Sequence, residues 1–376
     1  MYHLSYYQLA ADVQQAYQDA KRHKSGKPYV IAFERNLQSN LQVLTDELWQ
    51  RTYRPRPGTC FIITDPKKRE VFAADFRDRI VHHLYYNYTH ELFERTFIAD
   101  SYSCIPGRGT HYGINRLEQH IRSESRNYSR PCYVLKMDIR GYFMHIRRER
   151  LLEICIRSLR RMASHRILKD VPVLWQDRLD MDFLEYLTRE IVLLDPTINC
   201  RIVGQLSDWD DLPHDKSLFH SPCGSGLPIG NLTSQLFSNV YLNELDQYMK
   251  RTLGCRHYGR YVDDFYVVSG DKAFLRSLVP SVRAFLRNTL CLTLHEGKTQ
   301  ILPVQYGVTF LGMFLKPWRR TASRNCLQRM ERKYETLQRQ WHNGEIPVGR
   351  VACAVASFRG VLSHGRNTGT LRRMTL

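Results

Sequence analysis

The segment HYGRYVDDFYVVS at positions 257–269 narrows what this chain can fold into more than any other stretch. Two β-rich runs meet at Asp263 and Asp264, the pattern of a β-hairpin with acidic residues at its bend. A pair of aspartates between strands is ordinarily a solvated turn. Here Tyr261, Val262, Phe265, Tyr266, Val267 and Val268 make the hairpin apolar, and charge in such surroundings is costly without a cation or partner. A second strand-like run, CYVLKMDI at 132–139, carries Asp138, 125 residues before Asp263. Three aspartates placed this way ask for a metal. Magnesium prefers oxygen ligands and commonly takes one or two carboxylates plus substrate phosphates, and two such ions can flank an in-line phosphoryl displacement.

Charge points the same way. The chain has 55 Lys and Arg against 37 Asp and Glu, a formal +18, so a polyanion is the first partner to consider. No stretch approaches the ~20 apolar residues that span a bilayer, and the basic residues do not track an amphipathic face beside an apolar one, so no membrane role is expected. The start, MYHLSYYQLAADVQQAYQDA, lacks a basic head followed by an apolar run, and the ten cysteines form no CxxC pair. We therefore expect reduced thiols in a cytoplasm.

Helical spacing through Leu41, Leu44 and Leu48 stops at YRPRPG, because proline cannot continue a helix, which sets off a helical extension at 1–53. A strand at Cys60–Ile63, a basic turn PKKRE, and a helix over 76–97 follow. Beyond the strand at 132–139 comes a helix over 147–163. Clustered Pro, Gly, Asp and Ser mark 195–222 as a loop or insertion. Helical periodicity returns at 233–250 and again at 272–289, with strands near Leu292 and Phe310. From Lys316 onward 13 Lys and Arg face 3 Asp and Glu, a net +10, more than half of the total excess.

With Asp138 in KMDIRGYF and YVDD at Tyr261–Asp264, the chain resembles the reverse transcriptases, in which a strand-borne Asp and a YxDD hairpin form the active site. The resemblance covers roughly residues 45–365. It implies an α+β right-hand polymerase: fingers at 54–131, a palm of antiparallel sheet backed by helices at 132–315, and a basic helical thumb at 316–376. It also implies two Mg²⁺ ions, for which Mn²⁺ can substitute, held by Asp138 and Asp263 with the main-chain carbonyl of Ile139 and assistance from Asp264. A primer 3′-hydroxyl would be extended by a deoxynucleotide along an RNA template, with release of pyrophosphate.

Further motifs match in order. Phe143, five positions after Asp138, matches the aromatic that excludes a ribose 2′-hydroxyl; without the resemblance it would read as a core aromatic. In PKKRE, Arg69 stands at the position that holds the incoming triphosphate, where arginine's bidentate pairing has a use, and Lys67 lies beside the template; a solvated turn would look the same. Arg77 and Arg79 are expected to organise the fingers. In SCIPGRGTHYGI, Gly107, Arg108 and Gly109 would let backbone approach the template. Lys298 in LHEGKT matches the lysine near the nucleotide phosphates, and FLGMF, with Leu311 and Gly312, matches the primer grip. RMERKYETLQRQW reads as a basic thumb helix suited to salt-sensitive, sequence-independent contact with a polyanion.

GLPIGNLTSQLFSN discriminates most. Most reverse transcriptases have Gln before the glycine and Ser-Pro at the end; here Ile229 precedes Gly230, and Gln235 replaces the Pro. This resembles the enzymes of diversity-generating retroelements, which copy a template-repeat RNA with errors concentrated at adenines. An alkyl group cannot make the polar contacts of the Gln, and looser pairing would follow. That subgroup implies a bacterial or phage-encoded cytoplasmic enzyme acting with its own structured RNA, a DNA primer or cDNA, deoxynucleoside triphosphates and an oligomeric accessory variability protein. A thumb reaching 376 leaves template removal and target nicking to other proteins. Two alternatives stay open: a retron, maturase-like or phage-defence reverse transcriptase, and a catalytically silent RNA-binding protein of the same fold.

Overall fold

The structure is a computed structural model that describes residues 2–65, 67–168 and 171–367, so the last nine residues of the expected thumb range, 368–376, lie outside it. Along the chain the elements are α1 (Tyr6–Lys21), α2 (Pro28–Glu34), α3 (Leu37–Trp49), β1 (Thr59–Ile63), β2 (Arg69–Ala73), α4 (Phe76–Glu94), α5 (Thr110–Glu124), β3 (Tyr133–Asp138), α6 (Tyr142–His145), α7 (Arg148–Ala163), β4 (Arg166–Leu168) and β5 (Val171–Leu174). There follow α8 (Met181–Val192), β6 (Arg201–Ile202), α9 (Leu232–Gln247), β7 (His257–Tyr261), β8 (Asp264–Ser269), α10 (Lys272–Leu290), β9 (Gln300–Pro303), β10 (Val308–Phe310), β11 (Met313–Lys316), β12 (Arg319–Ala322), α11 (Arg324–His342) and α12 (Val348–Leu362). The mixture of helices with mainly antiparallel sheets is the α+β class expected.

Two compact units divide the chain. One comprises the described residues up to Ile98, then Ile139–Tyr248 and Arg283–Thr293. Its helices pack through α4, which lies against α1 and α9 and carries an apolar stripe because Ile80, Leu84 and Tyr85 fall on one face. The Tyr85 ring meets Phe237 of α9 at 5.5 Å, and its hydroxyl is 2.9 Å from that of Thr188 on α8. The proline-rich segment after α3 leads into the antiparallel β1–β2 pair, as the sequence requires, and β6 adds to β1 in parallel. The 195–222 insertion is ordered: besides β6 it holds short 3₁₀ turns at Leu206–Trp209, His214–Lys216 and Leu218–His220. Its anchor is Glu70, a buried carboxylate on β2 that accepts hydrogen bonds from Trp209 Nε1 (2.8 Å), Ser217 Oγ (2.8 Å) and the Leu218 amide (2.6 Å).

The second unit comprises Ala99–Asp138, Met249–Val282 and the described residues from Leu294 onward. A four-stranded sheet in the order β7-β8-β3-β9 is its centre, antiparallel throughout. Strand alternation places Val134, Lys136 and Asp138 on one face, with Val268, Tyr266 and Asp264 directly opposite them. On that face α5 contributes Ile114, Leu117 and Ile121 to an apolar core shared with Phe310 and Met313 of the β10-β11-β12 sheet and with Met330 and Val355 of the last two helices. Helix α11 buries only Cys326, Met330 and Tyr334, a narrow i, i+4, i+8 stripe, which leaves its basic residues outward. The segment around Leu292 differs from the strand expected there. Leu292 and Leu294 are buried in alternation, as in a strand, but the pairing is confined to a single bridge at Leu294, flanked by the Arg140 amide donating to the Thr293 carbonyl at 2.9 Å and the His295 amide to the Asp138 carbonyl at 2.8 Å, and β9 takes the edge position beside β3.

Candidate active site

The β-hairpin expected at 257–269 forms, with Val262 and Asp263 at its bend and Asp264 as the first residue of β8. Register then does the rest: Asp138, the last residue of β3, lies directly across from Asp264, and Tyr261 pairs with Asp264 on the other side. All three aspartates therefore sit at one end of one sheet. Residue 138 is also fixed through its backbone, since its carbonyl accepts the His295 amide at 2.8 Å.

Electrostatics at this end is strained in favour of a cation. Burial, with repulsion from Asp138 and Asp264, pushes the Asp263 carboxyl up to about 6, and burial likewise raises Asp264. Two lysines offset part of this. Lys298 Nζ donates to both oxygens of Asp138, at 3.1 and 3.0 Å, and Lys136 Nζ lies 3.7 Å from Asp264 Oδ1 while donating to the Thr309 carbonyl at 2.9 Å. The donor set is oxygen-only, which suits a hard divalent cation such as magnesium or manganese. As the side chains stand, no group of three or more His, Cys, Asp or Glu among the described residues is arranged to hold a metal ion. Asp138 is engaged with Lys298 instead.

The bend has supports that the motif alone does not reveal. Val262 adopts φ 55°, a left-handed backbone that a β-branched residue adopts only when held there. The hold comes from Arg260 and from the segment preceding α5. Arg260 is fully buried; its Nη1 donates to the Val262 carbonyl at 3.0 Å and its Nη2 to Ser101 Oγ at 3.2 Å, while the Val262 amide donates to Ser103 Oγ at 3.1 Å. Gly259 is required for close approach, because a Cβ there would stand 2.7 Å from the Tyr266 hydroxyl and nearer still to that of Tyr102. Those two hydroxyls are 2.8 Å apart and continue to Asp100 and His120, and His120 and Arg116 hold the Asp100 carboxyl well below its usual range although burial opposes them. Lys136 and Arg260 had a visible signal, a charged residue inside an apolar strand. Ser101 and Ser103 had none, since their partners lie about 160 positions away.

The other expected site residues divide between the two units. Arg108 donates to the Ser101 carbonyl at 2.9 Å, beside the bridge that joins Ser101 to Arg260. Leu311 and Gly312 form the tight β10–β11 turn, at φ 47° and 83°. Tyr261 is partly buried against the sheet's core. In the first unit, Phe143 and Ile229 pack against one apolar cluster of Cys60, Phe72, Met144 and Leu218. The Ile229 carbonyl accepts the Phe72 amide at 3.0 Å, and Gly230, at φ 126°, passes so close to β2 that a Cβ would meet Val71 at 2.9 Å. Arg69 and Lys67 are exposed at the start of β2 and in the turn before it, Gln235 is exposed on α9, and the Ile139 side chain is buried. Arg77 is buried in a salt bridge with Glu47, and Arg79 donates to the Ala74 carbonyl at 2.8 Å.

Residues 65–315 match the family described as reverse transcriptase (RNA-dependent DNA polymerase). The protein YkfC of Escherichia coli strain K12 is 27% identical over 306 residues, spanning 72% of this chain and 70% of that protein. Two solved structures are similar at a TM-score of 0.49: a Candida albicans telomerase in complex with a fragment of telomeric RNA, at 10% identity, and an apo telomerase of Candida tropicalis truncated from its C-terminal domain, at 11%. They cover 77% and 74% of this chain, which spans only 52% and 59% of theirs. No helix among the described residues is long and apolar enough to cross a membrane. With a family match over well more than half its length, the chain belongs to the reverse transcriptase family of RNA-dependent DNA polymerases.

Proposed function

We propose that the chain copies a template-repeat RNA into cDNA for a diversity-generating retroelement, with Asp138, Asp263 and Asp264 as its catalytic carboxylates. The observation that carries the reading is the β3–β8 register, which sets Asp138 across from Asp264 with Asp263 at the adjoining bend. Asp138 and Asp263, with the main-chain carbonyl of Ile139 and help from Asp264, would hold two Mg²⁺ ions, or Mn²⁺ in their place. When bound, such ions lower the pKa of a primer 3′-hydroxyl and offset charge on departing pyrophosphate. Lys298 contacts Asp138, so that carboxylate becomes available as the ammonium moves away, for which the triphosphate is a natural destination.

Phe143 would exclude a ribose 2′-hydroxyl, and Arg69 with Lys67 would meet triphosphate and template. Arg108, Gln235, Tyr261, Leu311 and Gly312 would line the template and primer. The ranges 54–131, 132–315 and 316–376 serve as fingers, palm and thumb, after a helical extension at 1–53. Ile229 and Gln235 favour the diversity-generating subtype: an alkyl side chain beside Gly230 offers no polar contact to hold a pairing base, and errors opposite adenine follow. The remaining participants are a DNA primer or cDNA, deoxynucleoside triphosphates and an oligomeric accessory variability protein, in a bacterial cytoplasm.

Primer extension on a defined RNA with Mg²⁺ and four deoxynucleotides, followed by sequencing, tests the proposal. Asp263→Asn should abolish extension while sparing RNA binding, and normal synthesis by that variant refutes the site. Ile229→Gln should raise fidelity opposite adenine; an unchanged error spectrum removes the subtype.

A further inference from the structure

We propose that the face formed by the end of α5 and the β11–β12 turn binds single-stranded RNA away from the polymerase site, with a base stacked on Trp318 and phosphates on the arginines around it. Trp318 is 63% exposed at the tip of a two-residue turn, where Lys316 pairs with Arg319. The turn lies at the opposite end of β11 from the Leu311–Gly312 turn, about 17 Å away at ~3.3 Å for each of five residue steps, so it is a different surface from the expected primer grip.

The indole is held in place. Tyr128 meets it edge-on at 4.9 Å, and the Arg122 guanidinium stands over it at 5.9 Å. Backbone strain is concentrated at the same spot: Arg126, Asn127 and Tyr128 are consecutive left-handed residues at φ 48°, 54° and 67°, and Trp318 itself is at 62°, a turn position that ordinarily favours glycine. Strain of this kind persists where surrounding structure enforces it and gathers at binding sites. Here its effect is to present the Trp318 indole outward, backed by a Tyr128 ring that is itself partly buried against the core.

The cationic rim is equally built. Among the described residues, a cavity of about 460 Å³ is lined by these rings with Arg122, Arg319, Arg320 and Arg366 against the one carboxylate of Glu118. Arg320 is oriented by Asn115 at 2.6 Å and Glu118 at 3.3 Å. Arg366 is drawn alongside because its amide donates to the Arg320 carbonyl at 2.7 Å, and the buried Asn367 accepts the Ala322 amide at 2.9 Å. A phosphate alone would need no indole, and a membrane would need more apolar surface than one Trp. Stacking rings between arginines fit an unpaired strand, whose bases expose their faces.

The test uses the full chain, a fluorescein-labelled 12-nucleotide single-stranded RNA, and excess blunt RNA–DNA hybrid to occupy the polymerase site. Trp318→Ala should weaken anisotropy-measured RNA affinity about tenfold, with Trp318→Phe close to wild type. Replacing Arg319 and Arg366 with Gln should weaken binding and reduce the slope of log affinity against log salt by about 1.4, since each single-strand phosphate contributes ~0.7. Primer extension stays unchanged in all of them, and the Asp263→Asn chain binds the oligonucleotide as wild type does, so this proposal and the polymerase assignment fail separately. Wild-type affinity in both Trp318→Ala and the double arginine variant overturns it. So does an equal loss of hybrid binding and extension, which would make the surface part of the polymerase site.

Discussion

Replacing Glu70 by Ala should release the 205–218 segment from β2. In the native protein one buried carboxylate accepts three hydrogen bonds from that segment, at 2.8, 2.8 and 2.6 Å. The Ser217 hydroxyl and the Leu218 amide belong to buried residues and would be left without an acceptor, at about 1–3 kcal/mol each, while Trp209 is less buried and can turn to water. The expected local loss is therefore about 3–4 kcal/mol, or at least ~100-fold in the opening equilibrium. Hydrogen–deuterium exchange read at Leu218 should accelerate by that factor, with limited proteolysis appearing near the exposed Leu206. Glu70→Gln should fall between, because its carbonyl oxygen still accepts but its amide nitrogen cannot. Since Arg69 is the adjoining residue, KM for deoxynucleotides should rise more than kcat falls. Exchange at Leu218 within threefold of wild type in the Ala variant would refute the reasoning, as it would mean that the segment is held by its apolar contacts alone.

Asp78, in the first unit, offers a pH test: burial raises its carboxyl to about 6 although Tyr53 and the Arg56 amide donate to it. Its folded value lies above the unfolded one, so the protonated form is favoured on folding and stability falls as pH rises from about 4 to 6, by about 3 kcal/mol at ~1.4 kcal/mol per unit. Asp78→Asn should remove that part of the decline in denaturant titrations, and a gap from wild type that is the same at pH 4 and pH 7 counts against it. Gly259→Ala should lower the thermal midpoint by the equivalent of about 1–3 kcal/mol through overpacking, with partial recovery when Tyr102→Phe removes the nearest hydroxyl; an unchanged midpoint sinks the packing argument. Lys298→Met should lower the Mg²⁺ concentration for half-maximal extension a few-fold, a modest change because that ion pair is exposed. A higher requirement would mean that the lysine does not compete for Asp138.

The hairpin, β3 and the helices around them were legible in the sequence because each is a local pattern: alternation of two around the aspartates, and a period near 3.6 through Ile80, Leu84 and their neighbours. What was not legible depends on distant partners. Nothing near Glu70 announces that its acceptors serve residues some 140 positions later. Leu292 gave a strand pattern for a related reason: alternating burial belongs to any extended segment, and here the backbone pairing is limited to one bridge at Leu294. Of the site, the carboxylate register could be anticipated from the motif, whereas the engagement of Lys298 with Asp138 depends on where residues 295–298 return to the sheet.

Arg260 has a consequence for how this enzyme can vary. Its guanidinium keeps its proton at any pH at which proteins work, so the peptide at the tip of the hairpin stays pinned through acid or alkaline excursions that would neutralise a histidine or a buried lysine. Changes in rate with acidity should then trace to the reacting carboxylates and not to a loosened loop. Lysine cannot replace it on equal terms, because a single ammonium lacks the planar fork that reaches the Val262 carbonyl and Ser101 together. A position immediately before the motif, touching no substrate, is thereby as constrained as the motif itself.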